Sequence, residues 1–172
     1  MVIGIGSIDR GDDAVGPIVA RRVRDAVLAS GDSWVDVLVH EDPTALTDAL
    51  AGLDIAVIVD AVRSGDEPGR VTWHEVGRGE PSLPARTEPG VAGTHGLGLA
   101  TVIELSRALG LLSARVVVVG VEGINFRHGQ ALSAPVMRAA PFAVDLILDL
   151  LGISAAAEAV PDAEGGHSSR AG

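Results

Sequence analysis

Three side chains that can ligate a metal or carry a proton stand where apolar segments of the chain meet polar loops. Asp13 closes a Gly-rich turn after the apolar run 2–5, and Asp60 follows the apolar run 55–59. His95 lies among small residues at the start of a helical pattern. Two carboxylates and one imidazole form an open set of oxygen and nitrogen ligands that suits nickel or zinc.

Asp60 is the most informative of the three because apolar residues flank it on both sides. The chain reads Ala-Val-Ile-Val before it and Ala-Val after it. A buried carboxylate without a partner is costly, so this side chain is either hydrogen-bonded or functional. We favour a functional role for Asp60 over a purely structural one.

The other candidates stand at predicted helix starts. Aspartate is common there because its oxygen caps free amides and its charge suits the helix dipole. Capping alone explains Asp12 as well as a functional role does, and it explains Asp13 less well. The same position favours a neutral imidazole at His95, which is the form that binds metal. His40 could line the same crevice, but we favour a structural or surface role for it.

Apolar periodicity predicts strands that alternate with helices from residue 2 to residue 151. The predicted strands are 2–5, 34–39, 55–59, 71–76 and 115–120, and the predicted helices are 14–29, 44–51, 95–109 and 133–151. This order indicates an α/β fold, a three-layer α/β/α sandwich on a mainly parallel central sheet of about five strands. Ligands of such sheets bind at the carboxyl ends of strands, so Asp13, Asp60 and His95 are expected to share one crevice.

Several details of these elements are predicted as well. Continuous apolar runs are typical of strands covered on both faces, so the core should include Val57, Val59, Val117 and Val119. Asp60 is expected to end the third strand, and Thr94 to cap the third long helix. Pro141 is expected to kink or split the last helix.

Residues 1–152 are predicted to form a single domain, and residues 153–172 a disordered tail, because the tail consists mainly of Ala, Gly, Ser and charge. The long segment 77–94 shows no periodicity and is expected to be functional or mobile. We expect a monomer.

Composition excludes several classes of function. The net charge of −10 disfavours nucleic acid and anionic membranes as partners. The chain has no cysteine, which excludes disulfides, thiolate nucleophiles and Cys-based zinc or iron–sulfur sites. A strand pattern begins at residue 2, which leaves no room for a signal peptide, and no apolar stretch reaches the ~18 residues of a membrane span. We therefore expect a cytoplasmic protein.

Familiar sequence signatures are missing. The turn after the first strand lacks the third glycine of the dinucleotide fingerprint, and no phosphate-binding Gly-Lys-Ser/Thr follows. Neither a Gly-x-Ser-x-Gly elbow nor a His-Glu-x-x-His helix is present. The residues alone thus leave the reaction open.

Five short blocks, in order and with matching spacing, resemble the [NiFe]-hydrogenase maturation endopeptidases. The blocks are Gly4-x-Gly6-Ser7, Asp12-Asp13-x-x-Gly16, Val59-Asp60-Ala61-Val62, Thr94-His95-Gly96-Leu97-Gly98-Leu99 and Val119-Gly120-Val121-Glu122. The resemblance runs from residue 2 to about residue 151. It departs from the family at Ser7, where Asn is frequent, and at Asp13, where the longer Glu is frequent.

The resemblance implies a function. Such proteins remove a C-terminal peptide from the precursor of the hydrogenase large subunit after nickel insertion, and they hold no tightly bound metal of their own. Two acidic residues and a histidine contact the precursor's nickel, and these roles fall on Asp13, Asp60 and His95. They are therefore the expected metal and catalytic residues.

Two alternatives stay open at this point. One is a non-enzymatic α/β module that binds nickel or the precursor without cutting it. The other is a nucleotide-binding domain built on the same turn after the first strand, against which the missing fingerprint counts.

Overall fold

The computed structural model describes residues 1–32, 34–42, 44, 46–77, 94–112 and 115–153, with the backbone alone at 47, 48, 77 and 94–97. Its strands are β1 (Val2–Ile5), β2 (Val37–His40), β3 (Ile55–Val62), β4 (Val71–Gly77) and β5 (Arg115–Glu122). Its helices are α1 (Val15–Ser30), α2 (Leu46–Ala49), α3 (Thr94–Ala108) and α4 (Ala134–Leu151), and a 3₁₀ turn covers Gly11–Ala14.

The five strands form one sheet in the order β2-β1-β3-β5-β4. β1 pairs in parallel with β2 and β3, and β3 pairs in parallel with β5, whereas the edge strand β4 runs antiparallel to β5. The predicted α/β architecture on a mainly parallel sheet is confirmed.

Alternate residues of the central strands face two separate apolar clusters. Val57 and Val59 belong to the cluster that α1 and α4 cover. Ala56 and Ile58 belong to the cluster that α2 and α3 cover. The predicted core residues of the two central strands are all fully buried: Val57, Val59, Val117 and Val119. Helices therefore lie on both faces of the sheet, as a three-layer sandwich requires.

The prediction that Asp60 ends the third strand is wrong. β3 continues to Val62, and its register with β5 runs on through the pairs Asp60–Gly120 and Val62–Glu122. A charged residue usually marks the end of a buried strand, but here the neighbouring strand continues and supplies the backbone partners. Asp60 is consequently held by the sheet itself and not by a loop.

Other boundaries shift by a few residues. The second strand begins only at Val37, and the second helix is reduced to Leu46–Ala49. α1 is preceded by a 3₁₀ turn that contains Asp12 and Asp13. Pro141 lies inside α4, which continues as one helix to Leu151, so the helix is not split there, and the kink stays a prediction.

Two predicted segments fall on the margins of the described structure. Residues 78–93 and 154–172 lie outside the described residues, so the expectations for the long segment and for the tail stay predictions. Ile153, which we assigned to the tail, is buried against the core beside α4. No helix within the described ranges is long and apolar enough to cross a membrane.

Candidate functional site

The order of the strands reverses between β1 and β3. β1 sits between β2 and β3 in the sheet, so the chain leaves β1 toward one side and β3 toward the other. Such a reversal of strand order opens a crevice outside the carboxyl ends of the strands, where α/β proteins bind ligands. Asp13 follows β1 and Asp60 lies near the end of β3, so the topology brings the two predicted acids to this point.

The turn after β1 is packed so closely that only glycine fits at two positions. Gly6 has φ +127°, and a Cβ added there would lie 2.0 Å from the Asp13 carbonyl oxygen. A Cβ on Gly16 would lie 2.1 Å from the Ile5 oxygen and 2.6 Å from the Val59 oxygen. The first turn of α1 therefore presses against β1 and β3, which places Asp13 beside the strand that carries Asp60.

Asp13 is 4% exposed, and its own turn helps to hold it. The backbone N–H of Ser7 donates to Asp13 Oδ2 at 3.0 Å. The Asp13 N–H in turn donates to the Arg10 carbonyl at 3.3 Å within the 3₁₀ turn. Backbone contacts of this kind fix where the carboxylate points.

Asp60 is 1% exposed and is poorly satisfied. Among the residues that the structure describes, no donor contacts its buried Oδ1 atom. Burial, together with the charge of Asp13, raises the pKa of Asp60 to about 8, although a hydrogen bond from the Ala61 backbone opposes the shift. Two buried carboxyl groups that repel one another form a site that favours a proton or a cation.

Asp12 does not cap its helix, so the capping interpretation is wrong. Its Oδ2 accepts the backbone N–H groups of Ile124 at 2.8 Å and Asn125 at 2.9 Å. Ser133 donates its backbone N–H to Oδ1 at 2.6 Å and its hydroxyl to Oδ2 at 3.0 Å. Asp12 is fully buried and ties the turn after β1 to the segment between β5 and α4.

Glu122 has a similar structural role that the sequence reasoning missed. It is 3% exposed at the end of β5 and accepts the N–H groups of Ser64 and Gly65, each at 2.9 Å. The Ser64 hydroxyl donates to it as well, at 2.8 Å. A carboxylate that closes a valine-rich strand was the available signal, and it is the same kind of signal that singled out Asp60.

His95 is the second residue of α3, and its side chain lies outside the described atoms. α3 ends shortly before β5, and β5 begins at the edge opposite the carboxyl ends of the parallel strands. The 15 residues of α3 span about 22 Å. Its first turn is therefore directed toward the carboxyl edge. Asp60 lies on the same sheet face as Ile58, which shares an apolar cluster with α3.

The remaining histidines are His40, His74, His128 and His167. His40 is half-buried at the end of β2 opposite Ile5, and His74 is exposed on β4. His128 lies 3.5 Å from Asp9 and is largely exposed. His167 falls outside the described part of the chain. Across the side chains that are described, no three carboxylates or imidazoles gather at metal-binding range.

Comparison with known proteins gives a consistent result. The family model described as hydrogenase maturation protease matches residues 41–150, which is more than half of the chain. A comparison with curated protein sequences gives no match.

Solved structures of similar fold carry related names. The hydrogenase maturating endopeptidase HybD from E. coli has a TM-score of 0.70 and 23% identity, covering 88% of this chain and 90% of that one. The [NiFe] hydrogenase maturation protease HycI from Thermococcus kodakarensis has a TM-score of 0.64 and 25% identity, covering 88% and 90%. Together with the family match, these likenesses show that the chain belongs to the hydrogenase maturation protease family and is a peptidase.

Proposed function

We propose that this peptidase removes the C-terminal extension of the [NiFe]-hydrogenase large-subunit precursor. We further propose that Asp13, Asp60 and His95 bind the nickel that the precursor carries, and that this binding is how the peptidase recognises a loaded precursor. The observation that carries the proposal is the fully buried oxygen of Asp60, which has no partner among the described residues and lies beside a second carboxyl group. A cation bound between the two carboxyl groups would balance their charge.

The electrostatics of the pair favour this role. Asp60 is buried where a carboxylate is costly, and Asp13 adds repulsion. A divalent cation delivered by the precursor would replace the proton of Asp60 and remove that repulsion. The free protein thus stays protonated at Asp60 near neutral pH, and the metal of a loaded precursor supplies the compensation.

Each residue has a distinct part in the proposed reading of the metal. Asp60 is fixed by strand pairing, and Asp13 by the Ser7 amide. His95, at the first turn of α3, would supply the nitrogen ligand of the set. Nickel held this way can polarise the scissile carbonyl or a nearby water for attack, and it remains the substrate's metal throughout.

The experiment compares nickel-loaded with nickel-free precursor. Purified protein is mixed with each form, and the product is weighed by mass spectrometry. We expect loss of the C-terminal peptide from the loaded form alone. Equal cleavage of both forms would contradict nickel reading, and no cleavage of either would favour the non-enzymatic alternative.

Asp60→Asn is the matched variant for the same assay, because it keeps the size of the side chain but removes the charge that a cation requires. Cleavage should fall by more than the ~100-fold typical of changes outside a metal's own ligands. A normal rate in this variant would refute the role of Asp60.

A further inference from the structure

We propose that Asp12 is a positioning residue for the same reaction: it fixes Asp13 in the crevice by tying the turn after β1 to the segment that follows β5. The inference rests on the proposed function, because Asp13 is one of the residues assigned to reading nickel. It extends that function to a residue that is not itself one of the proposed nickel ligands.

The first support is the completeness of the hydrogen bonding around Asp12. Its side chain is 0% exposed and accepts from Ile124, Asn125 and Ser133, residues 112 to 121 positions further along the chain. Both carboxyl oxygens face backbone N–H donors. An asparagine would place its NH₂ group against one of these donors, so only a carboxylate satisfies the arrangement.

The second support is that backbone bonds repeat the connection on both sides of Asp12. The Asp12 N–H donates to the Asn125 carbonyl at 2.7 Å, and the Gly11 N–H donates to the Gln130 carbonyl at 3.1 Å. In the other direction, the Gly129 N–H donates to the Asp9 carbonyl at 2.6 Å. The turn after β1 therefore cannot move independently of the segment after β5.

The third support is the position of Asp13, one residue along the same 3₁₀ turn. Its carboxylate accepts the Ser7 N–H, and its carbonyl packs against Gly6. In an Asp12→Asn protein the NH₂ group would face a backbone N–H and push the turn away from the segment after β5, and a shift of the turn would carry Asp13 away from both contacts. Asp60 is held by strand pairing instead, so loss of Asp12 should move one acid and leave the other in place.

The test uses the backbone amide of Ser7 as a reporter that needs no substrate. A bond from this amide to a carboxylate is charge-assisted, so its proton chemical shift and its exchange rate report where Asp13 lies. In ¹⁵N-labelled full-length protein, Asp12→Asn should shift the Ser7 resonance and speed its exchange. In parallel, kcat/KM for nickel-loaded precursor, corrected for the folded fraction, should fall about 10-fold or more.

Glu122→Ala is the matched control, because it breaks an equally buried set of carboxylate bonds at the same edge of the sheet. It should alter the amides of Ser64 and Gly65, leave Ser7 unchanged, and keep kcat/KM within about threefold. A variant that loses stability alone would thereby be distinguished from one that displaces Asp13.

Ser133→Ala keeps the test decisive if Asp12→Asn does not fold. It removes one side-chain donor to Asp12 and should shift the Ser7 amide in the same direction, with roughly a fivefold loss of kcat/KM. An unchanged Ser7 amide in a folded Asp12→Asn or Ser133→Ala protein would overturn the positioning role. A shifted amide with no cleavage even by the unaltered protein would uphold it and overturn the proposed function instead.

Discussion

Buried carboxyl groups at the same edge of the sheet differ in how they are satisfied. Asp12 and Glu122 each accept hydrogen bonds from two or three residues, and each ties together chain segments that are remote in sequence. Asp60 is equally buried but keeps one oxygen unpaired within the described structure, and its pKa is raised to about 8. Burial alone therefore does not separate the two kinds of carboxyl group, whereas the number of hydrogen-bond donors does.

This comparison explains how the folded protein can tolerate a buried carboxyl group that lowers its stability when ionised. A carboxylate that accepts backbone N–H groups is stabilised by the folded state. A buried carboxyl group with few donors is tolerated because it can keep its proton. The first kind holds remote chain segments together, whereas the second kind can exchange its proton for a cation.

The largest expected effect comes from a carboxylate placed where neither donors nor a cation can reach it. Val117 is fully buried in β5 opposite Val57, so Val117→Asp should prevent folding at neutral pH. Circular dichroism should show no cooperative melting. The control, Val117→Ala, should still fold, with a loss of about 2–3 kcal/mol. A normally stable Val117→Asp protein would contradict the sheet assignment.

Removing a satisfied carboxylate should have the next largest effect. Glu122→Ala leaves the Ser64 and Gly65 amides without their acceptor and should lower the free energy of unfolding by about 2 kcal/mol. Urea denaturation at pH 7 measures the loss. Glu122→Gln should cost less, because its amide oxygen can still accept both N–H groups while its NH₂ donates to the Ser64 hydroxyl. Equal losses for the two variants would argue against this hydrogen-bonding role.

Replacement of Asp60, the unsatisfied carboxyl group, should stabilise the protein, whereas replacement of Glu122 should destabilise it. Because the pKa of Asp60 is raised to about 8, the folded state holds a proton that the unfolded state releases near pH 4. The contribution of this proton to the free energy of unfolding is therefore fully present below about pH 4, and it is lost progressively as the pH rises through about 8. Asp60→Asn removes this loss and should raise the melting temperature at pH 8 by about 3 °C or more.

The difference between Asp60→Asn and the unaltered protein should shrink toward zero near pH 4, where both forms are neutral at this position. Melting curves collected from pH 4 to pH 9 provide the measurement. Parallel curves across that range would show that Asp60 is ionised and satisfied in the folded state, and the contrast with Glu122 would disappear.

The smallest effect is expected for the tail. Removal of residues 155–172 should change the free energy of unfolding by less than about 0.5 kcal/mol, because this Ala-, Gly- and Ser-rich segment has little to bury. The cut leaves Ile153 in place, since that side chain packs into the core. A large drop in melting temperature would show that the tail docks on the domain.

The sequence predicted the sheet well, because local patterns determine its strands. Uninterrupted valine runs identify central strands, and alternation of strands with helices determines the parallel order. Asp60 was recognisable because a lone acid among apolar residues is rare. Its place inside β3 was not predictable, since the continuation of that strand depends on pairing with Gly120 and Val121 in a distant segment.

The structural carboxylates escaped prediction for a related reason. Asp12 has the composition of a helix cap, but its partners lie more than 100 residues away in the chain. No local spacing encodes such a contact. Glu122 differs, because its position at the end of an apolar strand matches that of Asp60, and only the three-dimensional neighbours separate the two roles.

The tight packing of Gly16 against the backbone of β1 and β3 has a consequence for how the substrate must be delivered. Because Gly16 places no side chain between the backbones of α1 and the two strands, this contact has nothing that can rotate or compress. Its order is established when the chain folds, so binding adds little further loss of conformational entropy on this side. If the precursor binds here as proposed, its C-terminal segment must adapt its shape to this part of the peptidase.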